Sequence, residues 1–532
     1  MKRVEVMGRG SLKGFLLIGL LLLVSTPNRV GVAKEVSVPG ETDPSVPPLI
    51  PVDLRWGPQL FVDDFLIAES RNLTRTTSQP RRFEGNPILG HEEGTTQPYV
   101  SVIRDPQTGK FRLWYDRDRG VDSAVAYAES NDGIAWETPN LGILGDSNKV
   151  MSISEPFQSG YGASVLDDGP NASDPDKRFK LVWWGQAKDW PEGDPGFRVA
   201  FSPDGLHWTK YPGNPVLPDF SEAPPHDVND RRRAYGVGDI IDVYWDPIRN
   251  RYGALIKTPA TPADGYEMGP KARSYIRRLV SGSISNDFTS WLRPWRVIVP
   301  EDRDEGILEF YGVGGIVSRG SLLVGFVRIL RDDLPYNPGE PAEGIGYTTL
   351  VTSREGLVWE RHDDVFMDRG EEPDAWDRAV TWVGSCLEVG DRLYLYYGGY
   401  KRGHKIEPEK ERQIGLALLP KDRFVSRDSA DEGFLRTVPC YLHDGRGRKL
   451  ALNLNAEGGA VRVQLKDSRG EVFPGYSFED CVPIRTDGFS EAVLWEKNGG
   501  QQSAELSDLF AETLIVEFQI EKARLYGFDI LQ

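Results

Sequence analysis

Short apolar runs separated by polar turns dominate the chain from residue 98 onward. Five of them, KFRLWYD from Lys110, RFKLVWWG from Arg178, RYGALIK from Arg251, SLLVGFVR from Ser321 and RLYLYYGG from Arg392, are rich in β-branched and aromatic residues. Such runs, bounded by turn residues, predict strands. Upstream of each lies a second extended segment: PYVSVIRD from Pro98, GYGASVLDD from Gly160, GDIIDVYWD from Gly238, FYGVGGIVS from Phe310 and VTWVGSCLEV from Val380. Downstream of four of them comes one recurring turn, SNDGIAW at Ser130, SPDGLHW at Ser202, SNDFTSW at Ser285 and SREGLVW at Ser353, with a weaker fifth, PKDRFVS, at Pro420. The Ser and the acidic residue are expected to accept hydrogen bonds from turn amides, and the Trp to start the next strand and pack between sheets.

The repeat therefore counts to five strand–hairpin–strand–hairpin–strand units. Antiparallel units repeated radially make a propeller, which leaves only short, protected sheet edges. The fold class expected is all-β: a five-bladed β-propeller followed by a C-terminal β-sandwich. The turn motif stops near Gly433, and ALNLNAEGGAVRVQLKDSRG with ETLIVEFQIEKARLYGFDIL then gives alternating strands with Gly turns, the pattern of a sandwich. The predicted divisions are 1–33 leader, 34–52 Pro-rich linker, 53–430 propeller and 431–532 sandwich.

The leader follows from a basic start (Lys2, Arg3, Arg9, Lys13), the apolar run GFLLIGLLLLVS and small residues at Gly31 and Ala33. This is the pattern of an export signal, with an uncleaved anchor as the alternative. A secreted or periplasmic protein is expected. The net charge of −17 argues against nucleic-acid or anionic-lipid partners, which need a basic surface, and leaves neutral ligands such as carbohydrate. Cys386, Cys440 and Cys481 have no zinc or redox spacing. A Cys440–Cys481 disulfide is possible in an oxidising compartment, but three unconnected buried thiols are the preferred reading. No Gly-x-Ser-x-Gly, phosphate-binding Gly loop or His-Glu-x-x-His occurs, so no cofactor and no metal is expected.

In a propeller the starts of the first strands and the ends of the second strands share one funnel face. The starts carry Glu92 and Glu93, Asp239, Glu309 and Tyr311, and Trp376 and Asp377. The ends carry Asp116, Arg117, Asp118, Lys257, Arg328, Tyr400 and His404, while Arg278 opens a third strand. Carboxyl groups converging from several blades are the chemistry of sugar cleavage, in which one protonates the leaving oxygen and another activates water or attacks carbon. Glu93, Asp239, Glu309 and Asp377 are the catalytic candidates, with Glu309 as general acid and Glu93 first in line as base or nucleophile. Trp184, Arg278, Tyr311, Arg328, Trp376, Tyr400 and His404 are the candidates for binding substrate by stacking and hydrogen bonding. Each acid has a bland alternative, in which it caps a strand or pairs with a nearby arginine.

The Ser-x-Asp-Gly-x-x-Trp hairpins, the turn Asp105 to Phe111 and the acids at strand starts together resemble the five-bladed propeller glycosidases, that is, the invertases and fructanases, the arabinanases and the β-xylosidases. LFVDDFLIAES, EFYGVGG and LYYGGYKRGH are similar to a secreted bacterial branch of that shape. The resemblance spans about Leu54 to Ser426. It implies glycoside hydrolysis by a trio for which Glu93, Asp239 and Glu309 occupy comparable strand starts. The invertase Trp-Met-Asn-Asp-Pro-Asn motif is absent. A non-catalytic carbohydrate-binding propeller is the competing function, and a glycoside phosphorylase is disfavoured by export.

Overall fold

The structure, a computed structural model, describes residues 51–90, 96–118, 122–154, 157–187, 196–218, 237–260, 266, 277–404, 412–497 and 501–532. The leader, most of the linker and Glu93 lie outside the described residues.

The aromatic-rich runs form the strands expected of them. The first group orders Thr96–Arg104, Phe111–Arg117, Ala124–Ser130 and Lys149–Ser152 side by side and antiparallel. Next comes a group beginning with Phe157–Asp167, Phe179–Ala187 and Gly196–Ser202. The third consists of Ile241–Asp246, Arg251–Ala260, Arg277–Ser285 and Trp295–Ile298. An eight-stranded sheet then divides into two antiparallel groups touching through one parallel bridge, Gly346 to Val380. One group starts at Glu309–Arg319 and the other at Val380–Val389, and the outermost strand of the latter is the early segment Arg81–Arg82, paired with Arg412–Pro420. The architecture is all-β and propeller-like. The inner strand of each group adjoins the inner strand of the next, and that of the last adjoins that of the first. All five line one central cavity of about 220 Å³, through residues such as Val102, Val165, Val243, Ile316 and Ser385.

No ladder joins neighbouring inner strands among the described residues, so their inward amides need other partners. Side-chain hydroxyls supply several. The Val165 amide donates to Ser101 Oγ at 3.0 Å, Val243 to Ser164 Oγ at 3.3 Å, Val102 to Ser385 Oγ at 3.1 Å and Val383 to Thr348 Oγ1 at 3.2 Å.

The repeated turns behave as their residues require. In the first, the amides of Asp132 and Gly133 donate to Ser130 Oγ, and those of Ile134 and Ala135 to Asp132 Oδ1. The same pattern holds at Ser202 and Asp204 and at Ser285 and Asp287. Although burial works against it, the amide and ring of His207 and the Leu206 amide hold the Asp204 carboxyl down at about 2. Gly133, Gly205 and Gly356 occupy left-handed backbone at φ 75°, 75° and 71°, and Phe288 takes the same place at φ 67°. The motif tryptophans pack across groups: Trp136 lies 5.9 Å from Tyr396, Trp291 5.0 Å from Phe197 and Trp359 5.9 Å from Tyr244.

The expected start of the propeller at residue 53 and its end at 430 do not match sheet membership. Val52–Asp53 and Ile67–Arg71 join a six-stranded sheet with Glu432–Thr437, Cys440–Asp444, Ala460–Lys466 and Phe510–Glu521. Gln59–Leu60, Thr74–Thr77 and Val425–Asp428 join a second sheet with Lys449–Asn455, Asp487–Ala492 and Arg524–Leu531. Both sheets bury side chains in one core, which includes Phe61, Leu435, Leu452, Val463, Trp495, Phe518 and Phe528. The physical reason is that Phe61 and Leu66, fully buried there, find their apolar partners 360 or more residues downstream, which no local pattern reveals. Cys386, Cys440 and Cys481 are free thiols, Cys440 and Cys481 buried in that core. Cys386, expected to be buried, is only partly so, because it borders the central cavity.

Candidate functional site

Asp239 stands just before the inner strand Ile241–Asp246, and its backbone is held by the adjacent strand. The Gly238 amide donates to the Lys257 carbonyl at 2.8 Å and the Lys257 amide to the Ile240 carbonyl at 2.9 Å. This extension of the ladder brings the Lys257 ammonium onto the Asp239 carboxylate as an ion pair. Lys257 is nearly buried, whereas the Asp239 side chain remains 37% exposed. Removal from water would raise the Asp239 pKa, but Lys257 and then Arg278 outweigh it and hold the carboxyl below its usual range.

Tyr311, on the neighbouring inner strand, lies under both cations: Lys257 Nζ is 4.0 Å and the Arg278 guanidinium 5.2 Å from its ring centroid. Its ring stacks on Trp382 at 4.7 Å and 15°, and His404 approaches at 4.8 Å. Tyr99, Ile240, Tyr311, Leu330, Val380, Trp382 and Tyr400 form one buried cluster at this end of the ring, drawn from the first, third, fourth and fifth groups. Burial, then Tyr311, Tyr400 and Asp239, push the Tyr99 hydroxyl well up.

Glu309 opens the fourth inner strand and is buried. Arg278 Nη1 donates to its Oε1 at 3.0 Å and its Oε2 at 2.8 Å, and the Arg278 amide donates to Oε2 at 3.0 Å. Asp332 lies 3.6 Å from the same guanidinium. Asp239 and Glu309 each have a cationic partner, Lys257 and Arg278 respectively.

Asp377 stands just before the inner strand of the fifth group, Val380–Val389. Its Oδ2 accepts from Arg82 Nε at 2.8 Å and from the Tyr397 hydroxyl at 3.0 Å. The cause is the early strand Arg81–Arg82, which brings Arg82 across 295 residues. Trp376 stacks on Tyr397 at 5.5 Å and lies over Gly399 and Gly415, where any Cβ would strike its ring. Trp184 stacks on Tyr161 at 6.2 Å beside the core between the second and third groups. Arg328 is fully buried and bidentate to Asp242, at 2.8 Å from each oxygen. Tyr311 and Tyr400 are nearly buried as well, their faces covered by Trp382 and Arg412 respectively.

Two further ionisable groups stand at second-strand ends, where the sequence places them without singling them out. Lys257 is the partner of Asp239. Asp116 is buried and accepts the amides of Gly162 at 2.7 Å and Ala163 at 3.1 Å. Burial, against those two hydrogen bonds and with the negative charge of Asp239 adding, pushes its carboxyl up to about 7. Trp382 and Tyr99 were legible only as strand residues.

No protein-family model and no curated protein matches the chain. Solved structures of similar chain path include a putative glycoside hydrolase from Bacteroides ovatus, 15% identical over 66% of this chain and 98% of that one, with a TM-score of 0.42. Another is a putative glycosidase from Bacteroides thetaiotaomicron, 15% identical over 64% and 97%, TM-score 0.40. A third is an N-acetylgalactosamine deacetylase from F. plautii in complex with blood group B trisaccharide, 16% identical over 66% and 96%, TM-score 0.39.

Proposed function

We propose that the chain is an exported glycoside hydrolase whose active site is the mouth of a five-bladed β-propeller, with a β-sandwich attached. Five strand groups around one cavity and two sheets around one core support that architecture. The basic start and apolar run of the leader support export.

One observation carries the catalytic reading: a partly exposed carboxylate, Asp239, is held ionised by Lys257 and Arg278, and Arg278 also grips Glu309. In glycoside hydrolysis the ionised member of a carboxyl pair activates water or attacks the anomeric carbon, and the other protonates the leaving oxygen. Asp239 takes the first role. Glu309, at the start of the neighbouring inner strand, and Glu93, which the sequence puts shortly before the first inner strand, are the two candidates for the second. The resemblance of the turns and strand-start acids to propeller glycosidases agrees with these assignments.

Release of reducing ends from a panel of plant and algal polysaccharides tests the reading. Asp239→Asn is expected to lower the rate by roughly 10² to 10⁴, the range of lost acid–base assistance, and Glu309→Gln and Glu93→Gln identify the proton donor. Full activity in Asp239→Asn would overturn the assignment. A second reading, carbohydrate binding without cleavage, is favoured by the engagement of Glu309 and Asp377 with arginines. Retention of polysaccharide with no release from any member of the panel would support it.

A further inference from the structure

The inner strand Phe157–Asp167 slips in register between Tyr161 and Ser164, so Gly162 and Ala163 fall out of the ladder with Phe179–Ala187. Their amides point away from that ladder and need another acceptor. It comes from the first strand group, where both oxygens of Asp116 are turned onto them, Oδ2 to Gly162 and Oδ1 to Ala163.

The other face of the bulge backs on the third group. Gly162 has left-handed backbone at φ 70°, and a Cβ there would sit 2.3 Å from the Asp239 carbonyl oxygen and 2.9 Å from the Ile240 Cα. The residue is therefore restricted to glycine twice over, by its φ and by contact with the backbone of Asp239. On its far side the same stretch is clamped by Lys257, whose carbonyl lies 2.2 Å from where a Gly238 Cβ would be. Asp239 is wedged between the Gly162 bulge and the Lys257 strand.

We propose that Asp116 is a positioning residue for Asp239: by fixing the amides of Gly162 and Ala163 it holds the bulge against which the Asp239 backbone rests, and so aims the Asp239 carboxylate at the mouth. Asp116 itself is buried and does not touch substrate. The inference deepens the hydrolase reading and rests on it for its catalytic consequence, though the positioning is measurable without any substrate. Displacing a reacting group by about 1 Å costs on the order of 10² in rate.

The test is a carbon-13 NMR titration of the Asp239 carboxyl in the full chain, assigned by its disappearance in Asp239→Asn. Asp116→Ala, which removes both acceptors, and Gly162→Ala, which pushes the bulge onto Asp239, are each expected to move that resonance and raise its midpoint toward the ordinary carboxylate value as the Lys257 pair loosens. Position and charge are separable here. Asp116 is still protonated where Asp239 titrates, so losing its charge leaves the Asp239 midpoint where it was, whereas moving Asp239 away from Lys257 raises it. On a confirmed substrate, kcat should fall about 10²-fold with a much smaller change in KM. An unchanged Asp239 resonance and midpoint in folded Asp116→Ala would overturn the proposal. If that variant does not fold, Asp116→Asn, which keeps the shape and one acceptor, must show a smaller move in the same direction, and no move there overturns it equally. Full activity in Asp239→Asn would remove the hydrolase reading and leave the NMR result to decide the positioning alone.

Discussion

Arg278 grips Glu309 three times, twice through one guanidinium nitrogen at 3.0 and 2.8 Å and once through its own backbone amide at 3.0 Å. The pair joins two strand groups at the mouth, and the Glu309 side chain is only 3% exposed. Removing one partner of such a pair strands a buried charge, at a cost of about 3 to 5 kcal/mol. Arg278→Ala is therefore expected to be among the most destabilising single changes at the mouth, and Glu309→Gln, which keeps the shape and one acceptor and leaves Arg278 partly exposed with Asp332 3.6 Å away, milder. Urea unfolding of both variants checks this, and equal losses would contradict it.

Asp116 makes stability depend on pH with a definite sign. Its folded pKa of about 7 lies above the ordinary 3.8, so the fold binds this proton more tightly than the unfolded chain. The contribution is fully present below pH 4 and is lost as the pH rises toward 7, by on the order of 1.4 kcal/mol per pH unit for one proton. Asp116→Asn removes the titration. Thermal or urea unfolding at pH 5 and pH 8 should show a smaller loss on raising the pH in the variant than in the parent chain. A parallel loss in both would place the proton elsewhere.

Phe288 occupies left-handed backbone where three equivalent turns have glycine, so Phe288→Gly relieves roughly 1 to 2 kcal/mol of backbone strain. Its ring, however, is fully buried against Tyr252 at 5.1 Å and Trp291 at 5.6 Å. Deleting a buried Phe costs about 3 to 5 kcal/mol, so packing wins and the variant should melt at lower temperature. A raised Tm would mean that the strain dominates.

The three thiols should all be free. Burial pushes Cys386 and Cys440 up to about 12 and Cys481 up to about 11, so none is a thiolate at neutral pH. Thiol titration of the native chain should be slow, and denaturation without reductant should expose three thiols. Fewer than three would reveal a disulfide.

The all-β class, the inner and second strands of each group and the hydrogen bonding of the Ser–Asp turns were legible in the sequence because they are local. A turn of Ser, acidic residue and Gly satisfies its own amides within three residues, and an alternating aromatic run declares a strand wherever it lies. The same logic placed Asp239 and Glu309 where the inner strands Ile241–Asp246 and Glu309–Arg319 begin. It could not choose partners. That Glu309 is taken by Arg278, Asp377 by Arg82 and Arg328 by Asp242 depends on side chains separated by 31, 295 and 86 residues, which only the packing of neighbouring groups and, for Arg82, the pairing of its early strand with the last group bring together. The joining of residues 52–77 to the C-terminal sheets was hidden for the same reason, since an edge strand carries no mark of the sheet it will complete. Tertiary structure also chose Asp116 over its neighbours Arg117 and Asp118: the register slip at Gly162 leaves two amides unpaired opposite that one side chain, and an unpaired buried amide has to find an acceptor.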